Sequence, residues 1–178
     1  MRFLAACLAV CLALPAAAQD PDPADVASPE AIIAAVYASL DREPGGQHDW
    51  ERFVSLYIPE ATLLPSPEQT NGEERVFSPQ GYADHIQALY ASVNYIGSAA
   101  DRGFTEQEVH NVTHRFGDIA MVFSTYEKFY WDDDQMLGRG INSFQLVFRD
   151  DRWWIVSGAW DEEIGAGAVP DEYRASAE

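Results

Sequence analysis

Cysteine is nearly absent from this chain. Of 178 residues only Cys7 and Cys11 are cysteines, and both fall in an apolar N-terminal run. If that run is removed, what remains has no disulfide, no thiol nucleophile and no thiolate metal site, and must be stable by packing alone. Basic residues are also scarce. Eleven Lys and Arg face 29 Asp and Glu, for a formal charge of -18. Without a basic patch there is nothing to release counterions from nucleic acid or an anionic membrane, so neither is an expected partner, and the acidity reads as solubility. No second apolar run approaches the length that spans a bilayer.

The first residues, MRFLAACLAVCLALPAAAQD, place Arg2 ahead of an unbroken apolar stretch from Phe3 to Leu14 and then Ala16-Ala17-Ala18. That order predicts a signal peptide over 1–18, cleaved after Ala18, and a periplasmic or secreted product. Residues 19–27 read as a flexible acidic leader, 28–164 as one domain, and 165–178 as a loosely held C-terminal tail.

Aromatic residues are plentiful, with five Trp, eight Tyr and nine Phe. Ser28-Pro29 is an N-cap followed by proline at the first helical position, and Ile32, Ile33, Val36, Tyr37 and Leu40 recur at helical spacing. A second short helix is expected through HDWERFVSLY, and ATLLP reads as a brief strand. Ser78-Pro79 repeats the capping device and opens a third helix through GYADHIQALYASVNYI. From Phe104 four segments rich in β-branched and aromatic residues are separated by Gly117-Asp118, Asp132 to Met136, and Asp150-Asp151. They predict a four-stranded antiparallel meander, and helices followed by a meander predict an α+β domain with helices on one face of a curved sheet.

The last strand, RWWIVSGAWDE, sets a question of direction, since neighbouring residues point to opposite faces. If Asp150-Asp151 is a two-residue turn, Phe148 pairs with Trp153, Leu146 with Ile155, Phe144 with Ser157 and Asn142 with Ala159. If Trp131 and Leu137 close the longer turn, Tyr126 falls opposite Asn142, and Ser124 opposite Phe144. On this register Trp153, Ile155, Ser157 and Asp161 look inward. Phe123, Ile141, Ser143, Gln145, Trp154, Val156 and Trp160 form an outer face too apolar for bulk water, and a homodimer through it is the simplest cover.

The phrases RFVSLYIPEATLLP, FGDIAMVFSTYE, GRGINSFQLVFRDDRWWIVSGAW and VPDEY, after three helices, resemble the nuclear transport factor 2-like superfamily, in particular its SnoaL-like bacterial members. The likeness covers about residues 28 to 172 and rests on diffuse patterns. It implies a cone, with about three N-terminal helices packed in a curved, mostly antiparallel sheet, a pocket between them and dimers through the outer sheet face. It also implies one of two kinds of function, small-molecule binding without catalysis or an isomerase, cyclase or dehydratase using a buried acid or base.

Such chemistry needs a carboxylate or imidazole on an apolar wall and a donor aimed at the developing oxyanion. On the register above, Asp161 is the candidate acid or base, Tyr126 the oxyanion donor and Asn142 the group that orients substrate. The plainer reading of Asp161 is a strand-end cap or a partner of Arg139. Trp50, Phe53, Tyr57, Tyr90, Ser124, Phe144, Trp153, Ile155 and Ser157 are the candidate pocket lining for a small apolar ligand, and core packing is the plainer reading of the aromatics. A structural dimer whose cavity is filled by side chains is the third possibility. His110 and His114 lie about 13 Å apart on a strand, too far to share a metal. No metal and no cofactor is expected. Glu127 and Arg139 read as a cross-strand ion pair.

Overall fold

The computed structural model describes residues 20–70, 72–91, 102–131, 133 and 135–175. The expected signal peptide lies outside the described residues, as does the continuation of the third helix to Ile96.

Helix α1 spans Pro29–Leu40, with Ser28 Oγ accepting from Ala31 N at 3.1 Å. Its exposed positions, Glu30, Ala34 and Ala38, recur every four residues and leave Ile32, Ile33, Val36 and Tyr37 buried. Helix α2, Trp50–Ser55, is capped by Asp49, whose side chain accepts from Arg52 N. Strand β1 runs Tyr57–Pro65, longer than ATLLP suggests, and helix α3 runs Pro79–Ala91. The meander follows as β2 Thr105–Phe116, β3 Ile119–Phe129, β4 Met136–Arg149 and β5 Arg152–Glu162. The five-stranded sheet has the order β1-β5-β4-β3-β2, and β1 pairs with β5 in parallel, the one parallel pairing in the sheet. Gly117 sits at φ 57°, and Asp150 and Asp151 at φ 55° and 58°, so both short connections are tight turns that need left-handed residues. Aspartate tolerates that region better than most side chains.

The three helices pack on the concave face. Ile32, Leu56, Leu63, Val122, Trp153 and Ile155 are essentially without solvent contact there. The chain before α1 is docked rather than flexible. Val26 is buried, its carbonyl accepts Trp153 N at 3.0 Å, and Asp25 pairs with Arg52 at 2.7 Å. The tail is docked too. A four-residue helix α4, Glu163–Ala166, leads to a 3-10 turn at Asp171–Tyr173. The Tyr173 ring stacks on Phe123 at 5.4 Å, and its carbonyl accepts Thr125 Oγ1 at 2.6 Å. The protein's own tail thus covers part of the outer face for which sequence reasoning invoked a second copy.

The pairing of β4 with β5 starts as expected, with Phe148 opposite Trp153 and Leu146 opposite Ile155. It then slips. Gln145 faces Ser157, leaving Val156 unpaired, so Phe144 meets Gly158 and Asn142 meets Trp160. One extra residue in a strand reverses the face of everything after it. Ser157 and Asp161 therefore lie on the outer parity, and Trp160 and Glu162 on the inner. This corrects the inward assignment of Ser157 and Asp161 and the placing of Trp160 on a dimer face. The β3–β4 register differs by two residues, Tyr126 facing Gly140 and Ser124 facing Asn142, which preserves the faces.

Candidate functional site

A second slip lies on β2. Glu108 faces Tyr126, but His110 faces Thr125, so Val109 is left over. The irregularity puts Glu106 and Glu108 on the inner parity beside Lys128 and Tyr126, and His110 and His114 on the outer. Two bulged strands thus direct acids toward the interior.

Between the concave sheet and α3 is a cavity of about 300 Å³. Its helix side is apolar and aromatic, including Phe53, Tyr82 and Tyr90, with Tyr57 at the start of β1 beside them. Trp160 closes on Tyr82 with ring centres 5.3 Å apart. The sheet side is mixed, with Leu63, Phe144 and Trp160 beside a group of polar residues. Asn142, Tyr126, Glu106, Lys128 and Glu162 all border it. Lys128 Nζ bonds Glu162 Oε1, and Tyr126 Oη donates to the same oxygen at 3.4 Å. Two glycines make this packing possible. Gly140 lies opposite both Tyr126 and Glu162, and a Cβ there would come within 2.5 Å of Tyr126 Oη and 2.3 Å of the Asp161 carbonyl. A Cβ at Gly138 would sit 3.0 Å from Glu162 Oε2 and 3.1 Å from Lys128 Cε.

A second polar chain runs behind the wall. Asn142 Nδ2 donates to Tyr37 Oη at 3.0 Å, Tyr37 Oη bonds Ser124 Oγ at 2.7 Å, and Ser124 Oγ donates to Glu108 Oε2. Every member has a partner, as a buried network requires. Burial pushes the Tyr37 and Tyr126 phenols far up, so both stay protonated.

Glu106 differs from these groups. Its nearest donor is Asn142 Nδ2 at 3.5 Å, the limit of a hydrogen bond, and the Lys128 ammonium opposite is bonded to Glu162. It is partly exposed and borders the cavity. Desolvation pushes its carboxyl up to about 7, against the pull of Lys128 and Asn142. A carboxyl in that range can accept or give a proton at neutral pH.

Near the other end, His48 is buried, with Nδ1 2.6 Å from the Leu40 carbonyl and its ring stacked 5.4 Å from Tyr90. Burial lowers it to about 4, so the ring is neutral. Among the described residues no group of three His, Cys, Asp or Glu side chains is arranged to hold a metal.

Neither a family model nor a curated protein sequence matches the chain. Solved structures do. A protein of unknown function with a cystatin-like fold from Nostoc punctiforme aligns with 74% of this chain and 85% of its own, at 13% identity and TM-score 0.56. An NTF-2 like protein of unknown function from Silicibacter pomeroyi aligns with 75% and 91%, at 17% identity and TM-score 0.52. An NTF2-like protein with a cystatin-like fold from Novosphingobium aromaticivorans aligns with 66% and 71%, at 12% identity and TM-score 0.51. The fold is the nuclear transport factor 2-like cone. At these identities the likeness speaks for the fold alone.

Within this cone the sequence-selected residues divide. Tyr126 and Asn142 border the cavity, as do Phe53, Tyr57, Tyr90 and Phe144. Asp161 does not. It accepts Ser66 Oγ at 2.7 Å and Glu162 N at 2.8 Å, tying the strand end to the loop after β1, which is the plainer capping role. Arg139 instead pairs with Glu127, opposite it across β3 and β4. Trp50 stands behind the lining, edge-on to Phe53 at 5.5 Å. Ser124 is fully buried behind Tyr37, and Trp153 and Ile155 are core. Trp154 is not an open dimer patch, because the Arg152 guanidinium lies 3.6 Å from its ring centre and Arg149 5.7 Å. Ile141, Ser143 and Gln145 keep the outer parity, and Val156 is the unpaired residue.

Sequence reasoning missed Glu106, Lys128 and Glu162. One signal was available. The glycines of LGRGI break a strand otherwise built of large residues, and glycine inside a strand marks a place where a neighbour leans across.

Proposed function

We propose that the cone binds a small, largely apolar molecule, with the apolar body against the aromatic helix side and a polar group against Glu106 and Asn142. The observation that carries this reading is the cavity of about 300 Å³, aromatic on one side and bearing a few converging polar groups on the other. That volume is at the low end for ligand sites, so the ligand has one or two rings. The same opening argues against a cavity filled by side chains. The test is titration with a neutral ring probe, 1-naphthalenemethanol, followed by amide NMR. Saturable shifts are expected around Tyr82, Phe144 and Gly158. Their absence in the folded protein would overturn the reading.

One observation favours a second reading, an acid–base enzyme of the isomerase, cyclase or dehydratase kind. The Glu106 carboxyl at about 7 suits proton transfer, with Tyr126 and Asn142 as donors to the developing oxyanion. Glu106 then takes the part sequence reasoning gave to Asp161. Once a turnover is found, Glu106→Gln should remove at least about a hundredfold of kcat, and Asp161→Asn should leave it.

Export belongs to this proposal as well, on the strength of residues 1–18. N-terminal sequencing of the mature protein should begin at Gln19. A homodimer through the outer face left uncovered by the tail is likewise proposed, and sedimentation at micromolar concentration tests it.

A further inference from the structure

We propose that the cavity selects a ligand carrying a positive charge, a protonated amine or quaternary ammonium on a small apolar body, with Glu106 as its counter-ion. The inference rests on the binding reading above and names its ligand class.

Three observations converge on it. The first is the charge count of the wall. Glu106, Lys128 and Glu162 border the cavity together, and the one ammonium is already bonded to Glu162. Among the described residues no cation pairs with Glu106. Asp41, which accepts Thr105 Oγ1 at 2.7 Å, adds further negative potential at Glu106, and His85 is the remaining titratable imidazole on the lining. With Glu106 ionised, the three-residue wall carries one unneutralised negative charge in a poorly hydrated site. Such a charge invites a cation and repels an anion.

The second observation is what surrounds that charge. The Glu106 carboxylate acts electrostatically on the phenols of Tyr37, Tyr57, Tyr82 and Tyr126, which lie on α1, β1, α3 and β3. Tyr57, Tyr82 and Tyr126 line the same cavity as Glu106, and Trp160 closes on Tyr82 with ring centres 5.3 Å apart. Ring faces attract cations, and an aromatic-lined pocket is a recognised way to hold an ammonium. A neutral apolar ligand would use the rings and leave the carboxylate without a partner. The third is the chain's formal charge of -18, which raises the local concentration of cations at any opening.

The test uses three probes of one shape: 1-naphthylmethylamine, 1-naphthalenemethanol and 1-naphthoate, titrated calorimetrically into the full chain at pH 8. The amine is expected to bind at least about tenfold tighter than the alcohol, and the naphthoate more weakly than either. In Glu106→Gln the advantage of the amine over the alcohol should vanish, because the amine alone loses its counter-ion. In the unmodified protein, amine affinity should decline more steeply than alcohol affinity as pH falls through about 7, which keeps the idea testable should the variant fold poorly. Equal binding of amine and alcohol would overturn the inference and leave the cavity reading standing. Glu106 would then be an inward charge guarding an edge strand against pairing. Preference for the naphthoate would overturn it in favour of Lys128 as the recognising group. Failure of all three to bind the folded protein would overturn both readings.

Discussion

The two halves of β5 obey different rules. From Arg152 to Ile155 the strand follows its turn. Asp150-Asp151 fixes Phe148 opposite Trp153, and the inward residues are core. From Ser157 to Glu162 the same alternation runs on the other face, because Val156 has no partner. Trp153 and Trp160 consequently both point inward, although seven positions apart they should oppose each other in a regular strand. The near half builds stability, and the far half builds a cavity wall. Trp153 sits 5.6 Å from Phe148 and is sealed, whereas Trp160 is half-buried against Tyr82 with space beside it.

Deleting Val156 is the sharpest way to break this contrast. Continuous pairing would turn Gly158, Trp160 and Glu162 outward and expose the Lys128 site. We expect a loss of at least about 4 kcal/mol by urea unfolding, beyond what single substitutions usually cost. Destabilisation under about 1 kcal/mol would mean that the extra residue does not set the faces.

The two inward tryptophans should then separate by substitution. Trp153→Ala is expected to cost about 3–5 kcal/mol, as for a sealed aromatic. Trp160→Ala should cost about half as much, since part of its surface already faces the cavity, yet it should weaken naphthalenemethanol binding more. Equal costs would dissolve the distinction between a core half and a wall half. Gly140→Ala adds a single methyl group where Tyr126 and the Asp161 carbonyl leave no room, and should cost about 1–3 kcal/mol in the same assay.

The wall should also be visible in the pH dependence of stability, where Glu106 and His48 act in opposite directions. The Glu106 carboxyl rises from 4.5 to about 7 on folding, so between these values the folded state holds more proton than the unfolded. Its contribution is fully present below about 4.5 and is lost as pH rises through about 7. His48 falls from 6.5 to about 4, so its contribution is present above 6.5 and is lost as pH falls through about 4. Over the shared window the two nearly cancel. Glu106→Gln should uncover a curve that climbs from pH 4 to 6.5 more steeply than that of the unmodified protein. The smallest effect belongs to Asp161→Asn. Losing charge from a cap that keeps its geometry should cost about 1 kcal/mol or less and leave probe binding unchanged.

Most of the fold was legible in the sequence. Ser28-Pro29 and Ser78-Pro79 announced helices, and Gly117-Asp118 and Asp150-Asp151 announced turns whose geometry forces the pairing beside them. The wall was legible only where register survived, at Tyr126 and Asn142. A bulge has no turn residue to mark it, and the small residues Ser157, Gly158 and Ala159 fit either face, so nothing in the pattern betrayed the slip. Glu106 was hidden for a similar reason. TEQEVHN is polar at every position but Val109, like any solvated edge strand, and only the unpaired Val109 places its first glutamate inside. The leader and tail read as loose because their anchors are a few long-range contacts, Val26 with Trp153 and Asp25 with Arg52 for the one, Tyr173 with Phe123 and Thr125 for the other.

The claim that joins these points is that bulged strands place an acid without an ion-pair partner on the cavity wall. Carbon-13 NMR of the glutamate side-chain carboxyls, with Glu106→Gln to assign the resonance, tests it most directly. A Glu106 midpoint at about 7 is expected, moving down when 1-naphthylmethylamine is bound. A midpoint at the ordinary value of 4.5, unmoved by the amine, would contradict it.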